Sequence, residues 1–286
     1  MPAESSELVS ICIPVYNGIK YIRNAVESAE LQTYKNIEIV VQDNASTDGT
    51  WEVLVEMAHN DPRLSIERNP ENIGMAPNWN RVLSRAKGSF ISVLNCDDSY
   101  AADFIESSIS LLRKHGSDIV SSNHFNVVQG LKRPRRIFLR TGVYRDFPAV
   151  ILLLNPFPVV FSVFTRELFA RLSSSGKFFN ENFNLTCDYE LLMRMACSGV
   201  RLFYNAVPKA YYGVHDSNLS RQSRKMTRQA LLVILRYGGV LQDKCNISLK
   251  FTLLRFVARI FLLFFRTNTF DGRALKCSMG RFIYGF

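Results

Sequence analysis

The 286-residue sequence lacks the glycine patterns with which many enzymes hold phosphate. Neither GxGxxG nor GxxxxGK[ST] occurs, so the phosphate-binding backbone loops of dinucleotide enzymes and P-loop enzymes are missing. The six cysteines form no CxxC pair; no zinc or disulfide framework is readable, and free thiols in a reducing compartment are favoured. No basic segment followed by an apolar run opens the chain, so no signal peptide is predicted.

Charge is distributed unevenly along the chain, whose net charge is +10. The segment Leu219–Phe286 holds 13 Lys and Arg against two acidic residues, whereas residues 1–218 hold 22 basic and 23 acidic residues. Such a basic segment requires an acidic partner, and either nucleic acid or an anionic lipid surface would serve. We therefore expect a near-neutral body at residues 1–218 and a basic amphipathic helical tail at residues 219–286.

Strand and helix patterns alternate in the first hundred residues. Apolar runs predict strands at Leu8–Asn17, Asn36–Thr50 (which ends in a polar turn), Arg63–Asn69 and Ser89–Asn95. Helical spacing predicts helices at Ile19–Gln32, Trp51–Asn60 and Ala76–Ala86. This alternation predicts an α/β fold with a mostly parallel sheet covered by helices on both faces.

Three predicted strands end in polar or acidic pairs, which are Tyr16-Asn17, Asp43-Asn44 and Asp97-Asp98. Ligands of such sheets bind at the carboxyl ends of the strands. Adjacent carboxylates repel each other, and a Mg²⁺ or Mn²⁺ ion would relieve the repulsion while holding a diphosphate. The alternative is a turn in which an Asp caps the segment from Ala101.

The order of these segments resembles glycosyltransferase family 2. The resemblance is carried by VSICIPVYN, IVVQDNASTDGT and NPENIGMAPNWNRVLSRAKGSFISVLNCDDSY, and it resumes at Phe164–Gly199. It implies the GT-A fold, which is a Rossmann-like, mostly parallel sheet with helices on both faces, here with a C-terminal helical extension. It also implies a donor half at about residues 8–103 and an acceptor half at about residues 104–218.

The resemblance further implies roles for individual residues. Those expected to bind the nucleotide sugar are Pro14, Tyr16 and Asn17 in the nucleotide pocket, Asp43 on the base, Asp97 near the ribose, and Asn80. Asp98 would bind the Mg²⁺ or Mn²⁺ that bridges the diphosphate. Asn95 stands where the family usually has an acidic residue, so the predicted site has one charge fewer.

A second constellation is TCDYELLMRMA, Thr186–Ala196. The resemblance implies that Asp188 is the general base, whereas an Asp favoured by the helix dipole is the alternative. Cys187 replaces a Glu of the family pattern, and Glu190 is expected on the helix surface or behind the base. His215 is a metal or phosphate candidate, because the family often places a His in a loop over the diphosphate; Gly213 stands where an Arg is frequent.

These residues predict an inverting, metal-dependent sugar transfer by direct displacement. The processive motif QxxRW is absent, which favours single addition by a hexosyl- or deoxyhexosyltransferase. Family habit suggests a lipid-linked saccharide acceptor in bacterial surface polysaccharide synthesis. A nucleotidyltransferase, a basic nucleic-acid-binding protein and a degenerate nucleotide-binding scaffold remain the alternatives.

The run LKFTLLRFVARIFLLFFR, Leu249–Arg266, is apolar except for a stripe of arginines on one helix face. Arginine is costly at a bilayer centre, so we expect this helix to lie in the interface of an anionic membrane. The protein would then be peripheral on the cytoplasmic face of a membrane. A helix packed on the catalytic domain or a homodimer contact is the alternative.

Overall fold

The computed structural model describes residues 7–135, 139–144, 157–174, 176–216, 218 and 223–245. Ten strands in this part of the chain form one sheet. They are β1 Val9–Val15, β2 Ile37–Asp43, β3 Leu64–Arg68, β4 Phe90–Val93, β5 Ser99–Tyr100, β6 Ile119–Val128, β7 Leu131–Pro134, β8 Gly142–Tyr144, β9 Ser162–Thr165 and β10 Leu202–Val214.

Seven α-helices lie within the same described residues. They are α1 Ile22–Glu30, α2 Thr50–Asn60, α3 Met75–Ser84, α4 Phe104–His115, α5 Arg166–Leu172, α6 Cys187–Cys197 and α7 Ser223–Cys245. Short 3₁₀ turns lie at Val159–Phe161 and Glu181–Phe183.

The sheet has the strand order β3-β2-β1-β4-β9-β6-β10-β5, with β7 paired to β6 and β8 paired to β10. The first four strands of this order are mutually parallel, and β6 is parallel to β10. β9 lies antiparallel between β4 and β6, so β4 and β6 point the same way. The strands that share this direction are β1, β2, β3, β4, β6 and β10. Their carboxyl ends therefore lie along one edge of the sheet.

Side-chain alternation along β1 shows how the two faces are filled. Every residue of β1 is buried, as expected for a central strand covered on both faces. Ile11 and Ile13 belong to an apolar cluster with α1, α2 and α4, whereas Cys12 belongs to a cluster with α3, α5 and α6. The predicted α/β fold with helices on both faces is confirmed.

Local sequence explains the main helix boundaries. In α1 the buried residues are Ile22, Ala25, Val26 and Ala29, the spacing that forms one apolar helix face. α4 ends in three basic residues followed by Gly116 in the left-handed conformation (φ 54°), a common helix terminus. Thr165 starts α5 by accepting a hydrogen bond from Leu168 N–H.

Candidate active site

At the carboxyl edge of the sheet, β1 continues to Val15 after its pairing with β4 has ended, and we call the place beside this end of β1 the crevice. These strands pair only as far as Cys12 and Val93, where Leu94 N–H donates to the Cys12 carbonyl at 2.9 Å. Pro14 lies two residues beyond Cys12, so its missing N–H falls on the side where β4 has already ended. Strand order 3-2-1-4 reverses at this point, and α/β sheets bind ligands at such reversals.

The turn after β1 holds Tyr16 and Asn17 at this crevice. Asn17 has a left-handed backbone with φ of 50°. Its Oδ1 accepts from Thr47 N–H at 2.9 Å, and its own N–H donates to Ser46 Oγ at 2.8 Å. These bonds tie the β1 turn to the β2 turn, while Tyr16 stays 47 % exposed at the edge of the sheet.

Asp43, the last residue of β2, is fully buried. Its carboxylate accepts bonds from the N–H and hydroxyl of Ser46, and Arg68 Nε lies 3.2 Å from Oδ2. Arg68 is opposite Asp43 in the sheet register, and its guanidinium lies 5.7 Å from the centre of the Trp51 ring. Sequence reasoning missed Arg68, which ends the observed strand β3 and lies within the predicted strand Arg63–Asn69.

Asp98 is the buried carboxylate of the Asp pair, with 1 % of the residue exposed. Gly213 N–H donates to Oδ1 at 2.9 Å, and Asn95 Nδ2 donates to Oδ2 at 3.3 Å. Burial, followed by the charge of Asp97, raises the pKa of Asp98 well above its ordinary value. A cation bound next to Asp98 would therefore stabilise its ionised form.

Asp97 is partly exposed and pairs with His215, whose Nε2 lies 3.0 Å from Asp97 Oδ2. The His215 ring stacks on Tyr21, with 4.6 Å between ring centres. Asn218 supports the arrangement by donating to Asp97 Oδ2 at 3.3 Å and to the Gly213 carbonyl at 3.0 Å. The structure thus brings together three predicted residues from distant parts of the chain: Asp97, Asp98 and His215.

The donor atoms at this corner fit a hard divalent cation. Within the described ranges, no three His, Cys, Asp or Glu side chains converge as a complete metal cage. Mg²⁺ and Mn²⁺ sites that also use substrate phosphates need only one or two protein carboxylates. Asp98, with Asp97 beside it, would offer such oxygen ligands, and His215 would offer a nitrogen.

Gly213 is required by close packing against the Asp pair. A Cβ atom at this position would lie 2.2 Å from the Asp97 carbonyl oxygen, which is far inside van der Waals contact. A larger side chain therefore cannot occupy this position without moving β10 or the Asp97 backbone. The arginine that is frequent here in the family has no room in this chain.

Asp188 lies in the first turn of α6 and is partly exposed. Its Oδ1 accepts from Tyr189 N–H at 2.7 Å, and burial raises its pKa above the ordinary value. Cys187 points into the core, and burial raises the pKa of its thiol well above the ordinary value, so this position carries no charge at neutral pH. Asp188 is thus the sole carboxylate at this two-residue motif.

For Glu190 the sequence left two alternatives, the helix surface or a place behind the base. The first is wrong, because Glu190 is buried. It is 1 % exposed and pairs with Arg194 at 3.0 Å, and it accepts a hydrogen bond from the Tyr237 hydroxyl of α7. Arg194 also donates to the carbonyls of Leu172 and Phe178. Glu190 and Arg194 therefore form a buried ion pair behind Asp188.

Asn80 lies inside the protein on α3, with both ends of its amide engaged. Its Oδ1 accepts from the N–H groups of Phe178 and Phe179 at 3.1 and 2.8 Å. Its Nδ2 donates to the Phe179 carbonyl at 2.9 Å and to Glu181 at 3.1 Å. The side chain thus binds the loop before α6, which gives it a structural task within the chain.

Comparison with known proteins identifies the family. The family model described as "Glycosyl transferase family 2" matches residues 10–171, which is more than half of the chain. The chain therefore belongs to glycosyl transferase family 2, and the resemblance read from its sequence is confirmed.

Three curated relatives illustrate the range of similarity. The chain is 28 % identical over 227 residues to the Escherichia coli UDP-Glc:alpha-D-GlcNAc-diphosphoundecaprenol beta-1,3-glucosyltransferase WfaP, covering 78 % of this chain and 84 % of WfaP. It is 34 % identical over 121 residues to glycosyltransferase GlyG of Streptococcus pneumoniae, covering 42 % of this chain. This match spans 40 % of GlyG, and a separate match spans 18 % of glycosyltransferase GlyA of the same organism. The chain thus matches less than half the length of either protein.

Solved structures share the fold. Residues 1–349 of S. aureus TarS in complex with UDP match with a TM-score of 0.66 and 21 % identity, covering 95 % of this chain and 77 % of that one. The mannosyltransferase PcManGT from Pyrobaculum calidifontis, in complex with GDP-Man and Mn²⁺, matches with a TM-score of 0.62 and 19 % identity. That match covers 98 % of this chain and 81 % of PcManGT.

Proposed function

We propose that this glycosyltransferase is an inverting, metal-dependent enzyme that adds a single sugar to a lipid-linked saccharide. The sugar, a hexose or deoxyhexose, comes from a nucleoside diphosphate, and the product serves bacterial surface polysaccharide synthesis. The observation that carries the proposal is Asp98, a buried carboxylate of raised pKa beside the crevice between β1 and β4. The similarity to WfaP supports the lipid-linked acceptor.

The nucleotide sugar would lie along the carboxyl edge of β1, β2 and β4. Tyr16 and Asn17, which follow β1, would line one side of the crevice, and Pro14 lies buried just before them in β1. Asp43 is held by Arg68 and Ser46 at the end of β2, where it accepts a hydrogen bond from the base. Asp97 lies beside the ribose once His215 has been displaced from it or turned towards the phosphates. We leave Asn80 out of this binding set, because its amide is engaged by the loop before α6.

The reaction needs one proton acceptor and one sink for negative charge. The acceptor hydroxyl attacks the anomeric carbon of the sugar, the bond from that carbon to the diphosphate oxygen breaks, and Asp188 takes the hydroxyl proton. The raised pKa of Asp188 suits a residue that must gain a proton as the new bond forms. A Mg²⁺ or Mn²⁺ ion held by Asp98, with His215 or Asp97 beside it, would supply Lewis acidity towards the departing diphosphate.

We assign catalysis to residues 1–218 and membrane attachment to the basic segment at residues 219–286. In the described part of that segment, α7 carries Lys225, Arg228 and Arg236 on an exposed face, together with half-exposed Leu232 and Leu235. A face of cations and leucines suits an anionic lipid surface at the cytoplasmic side of a membrane. Leu249–Arg266 lies outside the described residues, and no helix within them is long and apolar enough to cross a bilayer.

Calorimetry tests the proposal directly. UDP, GDP, TDP and CDP are titrated with and without Mn²⁺ into the wild-type protein and into Asp98→Asn. We expect one nucleotide to bind in a Mn²⁺-dependent way, and the variant to lose that dependence. Folded wild-type protein that binds none of the four would overturn the proposal in favour of a degenerate scaffold.

A further inference from the structure

The loop that leads into α6 is held by side chains from two other helices. Asn80 of α3 binds the loop at Phe178 and Phe179, and Asn184 Oδ1 accepts from Ala76 N–H at the start of α3 at 2.9 Å. The last residues before Asp188 are held from α7 instead. Gln229 Oε1 accepts from Leu185 N–H at 2.9 Å and from the Thr186 hydroxyl at 3.4 Å.

The contact with Gln229 falls at the helix start that carries Asp188. Thr186 is the N-cap residue of α6, but its hydroxyl makes no capping bond to the helix and faces Gln229 instead. The usual local device for fixing a helix N-terminus is therefore replaced by a bond to a distant residue. Gln229 is therefore bonded to the two residues that directly precede the first turn of α6, which carries Asp188.

A second contact fixes the same helix two turns further along α7. The Tyr237 hydroxyl donates to Glu190 Oε1, and Glu190 is bound in turn by Arg194. Gln229, Val233 and Tyr237 are spaced at i, i+4 and i+8, so they lie on one face of α7. Val233 and its neighbour Ile234 are buried in the apolar cluster that contains α6.

We infer that α7 is a positioning element for catalysis, in which Gln229 and Tyr237 orient the turn of α6 that carries Asp188. This inference rests on the proposed role of Asp188 as the base. The family match ends at residue 171, so it includes neither α6 nor α7. Small displacements of a catalytic group are costly, since about 1 Å of misplacement lowers a rate by about 100-fold.

Helix α7 connects the proposed membrane-facing surface with the turn of α6 that carries Asp188. The face of α7 that carries Arg228, Leu232 and Arg236 is exposed and lies next to the face that carries Gln229. The same helix therefore presents the proposed membrane-facing surface and, beside it, the contacts to the first turn of α6. Sugar transfer therefore requires α7 to be packed against α6, whereas nucleotide binding at β1, β2 and β4 does not.

The test compares four full-length variants. Gln229→Leu removes the acceptor oxygen at nearly constant volume, and Gln229→Glu retains an acceptor oxygen at the same place. Tyr237→Phe removes only the hydroxyl. Gly239→Ala is the control at an exposed position of α7, where nothing lies within 4 Å of the added Cβ. UDP-glucose, UDP-GlcNAc and GDP-mannose are offered as sugar donors, with α-GlcNAc diphosphate on a short alkyl chain as the acceptor. Hydrolysis of the sugar donor by water is recorded as well, because it does not depend on that acceptor.

We expect Gln229→Leu to lower kcat by about 10-fold or more, while KM for the sugar donor and calorimetric UDP or GDP affinity change by less than about twofold. Tyr237→Phe should lower kcat less, Gln229→Glu should recover most of the activity, and Gly239→Ala should match the wild type. Wild-type kcat in Gln229→Leu would overturn the inference. A parallel fall of kcat, nucleotide affinity and melting temperature would also overturn it, because that pattern shows general destabilisation.

Asp188→Asn, measured in the same series, separates this inference from the proposed function. If Asp188→Asn is inactive and Gln229→Leu is fully active, α7 does not position the base and the proposed function stands. If Asp188→Asn keeps wild-type activity, the base assignment itself is wrong, and the inference falls with it.

Discussion

Gly213 N–H donates a 2.9 Å hydrogen bond to Asp98 Oδ1 across 115 positions of sequence. The bond joins the end of β10 to the chain just after β4, so the proposed metal ligand is oriented by a strand that is distant in sequence. In addition, the Asp97 carbonyl lies where a Cβ of residue 213 would be. The Asp pair and the end of β10 therefore form one packed unit.

This packing predicts the effect of Gly213→Ala. The added methyl group must displace β10 or the Asp97 backbone, and we expect a loss of about 1–3 kcal/mol in the free energy of unfolding. Mn²⁺-dependent nucleotide binding should weaken at least in parallel, because Asp98 loses its alignment. Gly239→Ala in α7 is the matched control, since nothing lies within 4 Å of its added Cβ, and helix propensity favours alanine there. Equal thermal and calorimetric behaviour of the two variants would contradict the packing argument.

Asp98→Asn should stabilise the ligand-free protein near neutral pH. The folded protein raises the pKa of Asp98, so the stability that comes from its protonation is present at low pH and is lost as pH rises through the raised pKa. Asparagine keeps the shape without the charge, and we expect roughly 1–2 kcal/mol of added stability near pH 7 that shrinks towards acid pH. Urea unfolding at several pH values measures this difference. A variant less stable than the wild type at neutral pH would show that the Asp98 charge is well compensated.

The pKa of Asp188 predicts the acid side of the pH–rate profile. A base must be ionised to accept a proton, and burial raises the pKa of Asp188. Activity should therefore be present above this raised pKa and be lost as pH falls through it, at a higher pH than the ordinary aspartate value of about 3.9 would give. Nucleotide binding measured over the same pH range separates this effect from titration at Asp98. An acid limb at the ordinary aspartate value would contradict the assignment.

Asn80→Leu distinguishes a structural residue from a ligand-binding one. Four hydrogen bonds to the loop before α6 are lost, and we expect the free energy of unfolding to fall by about 2–4 kcal/mol. Nucleotide affinity of the remaining folded protein, measured at low temperature, should stay close to the wild-type value. Unchanged stability with a large loss of affinity would restore the expectation that Asn80 binds the substrate.

Removal of residues 249–286 tests attachment to lipid. These residues carry seven of the basic side chains in the tail and the apolar run read as an interfacial helix. The truncated protein should no longer co-sediment with vesicles of anionic lipid, and salt should weaken binding of the full chain. Vesicles of neutral lipid are the control. Co-sedimentation of the folded truncation at the full-length level would assign membrane binding elsewhere.

Sequence reasoning succeeded where a local pattern decides the structure. The spacing of Ile22, Ala25, Val26 and Ala29 marks one helix face, and polar residues after apolar runs placed Tyr16, Asp43 and Asp98 at one edge of the sheet. Both patterns are local, because each is read from residues within a few helical turns or within one strand. The periodicity of side chains along helices and strands is sufficient to read them.

The remaining features depend on contacts between distant parts of the chain. The four residues of β9 carry no period that reveals an antiparallel strand between β4 and β6. The burial of Glu190 follows from Tyr237, 47 positions away, and the hold on Thr186 follows from Gln229, 43 positions away. The role of Arg68 likewise follows from the pairing of β3 with β2, which neither strand's own pattern reveals.

The antiparallel strand β9 has a mechanical consequence. It joins β4 to β6, so the strand that carries Asp43 and the strand that carries Gly213 belong to one continuous sheet. Among the described residues, this pairing disfavours a hinge between the two halves of the sheet. We therefore expect opening and closing over a substrate to occur at the rim, where His215 stacks on Tyr21. Changes to the connecting segments at this rim could then admit new acceptors without altering the sheet.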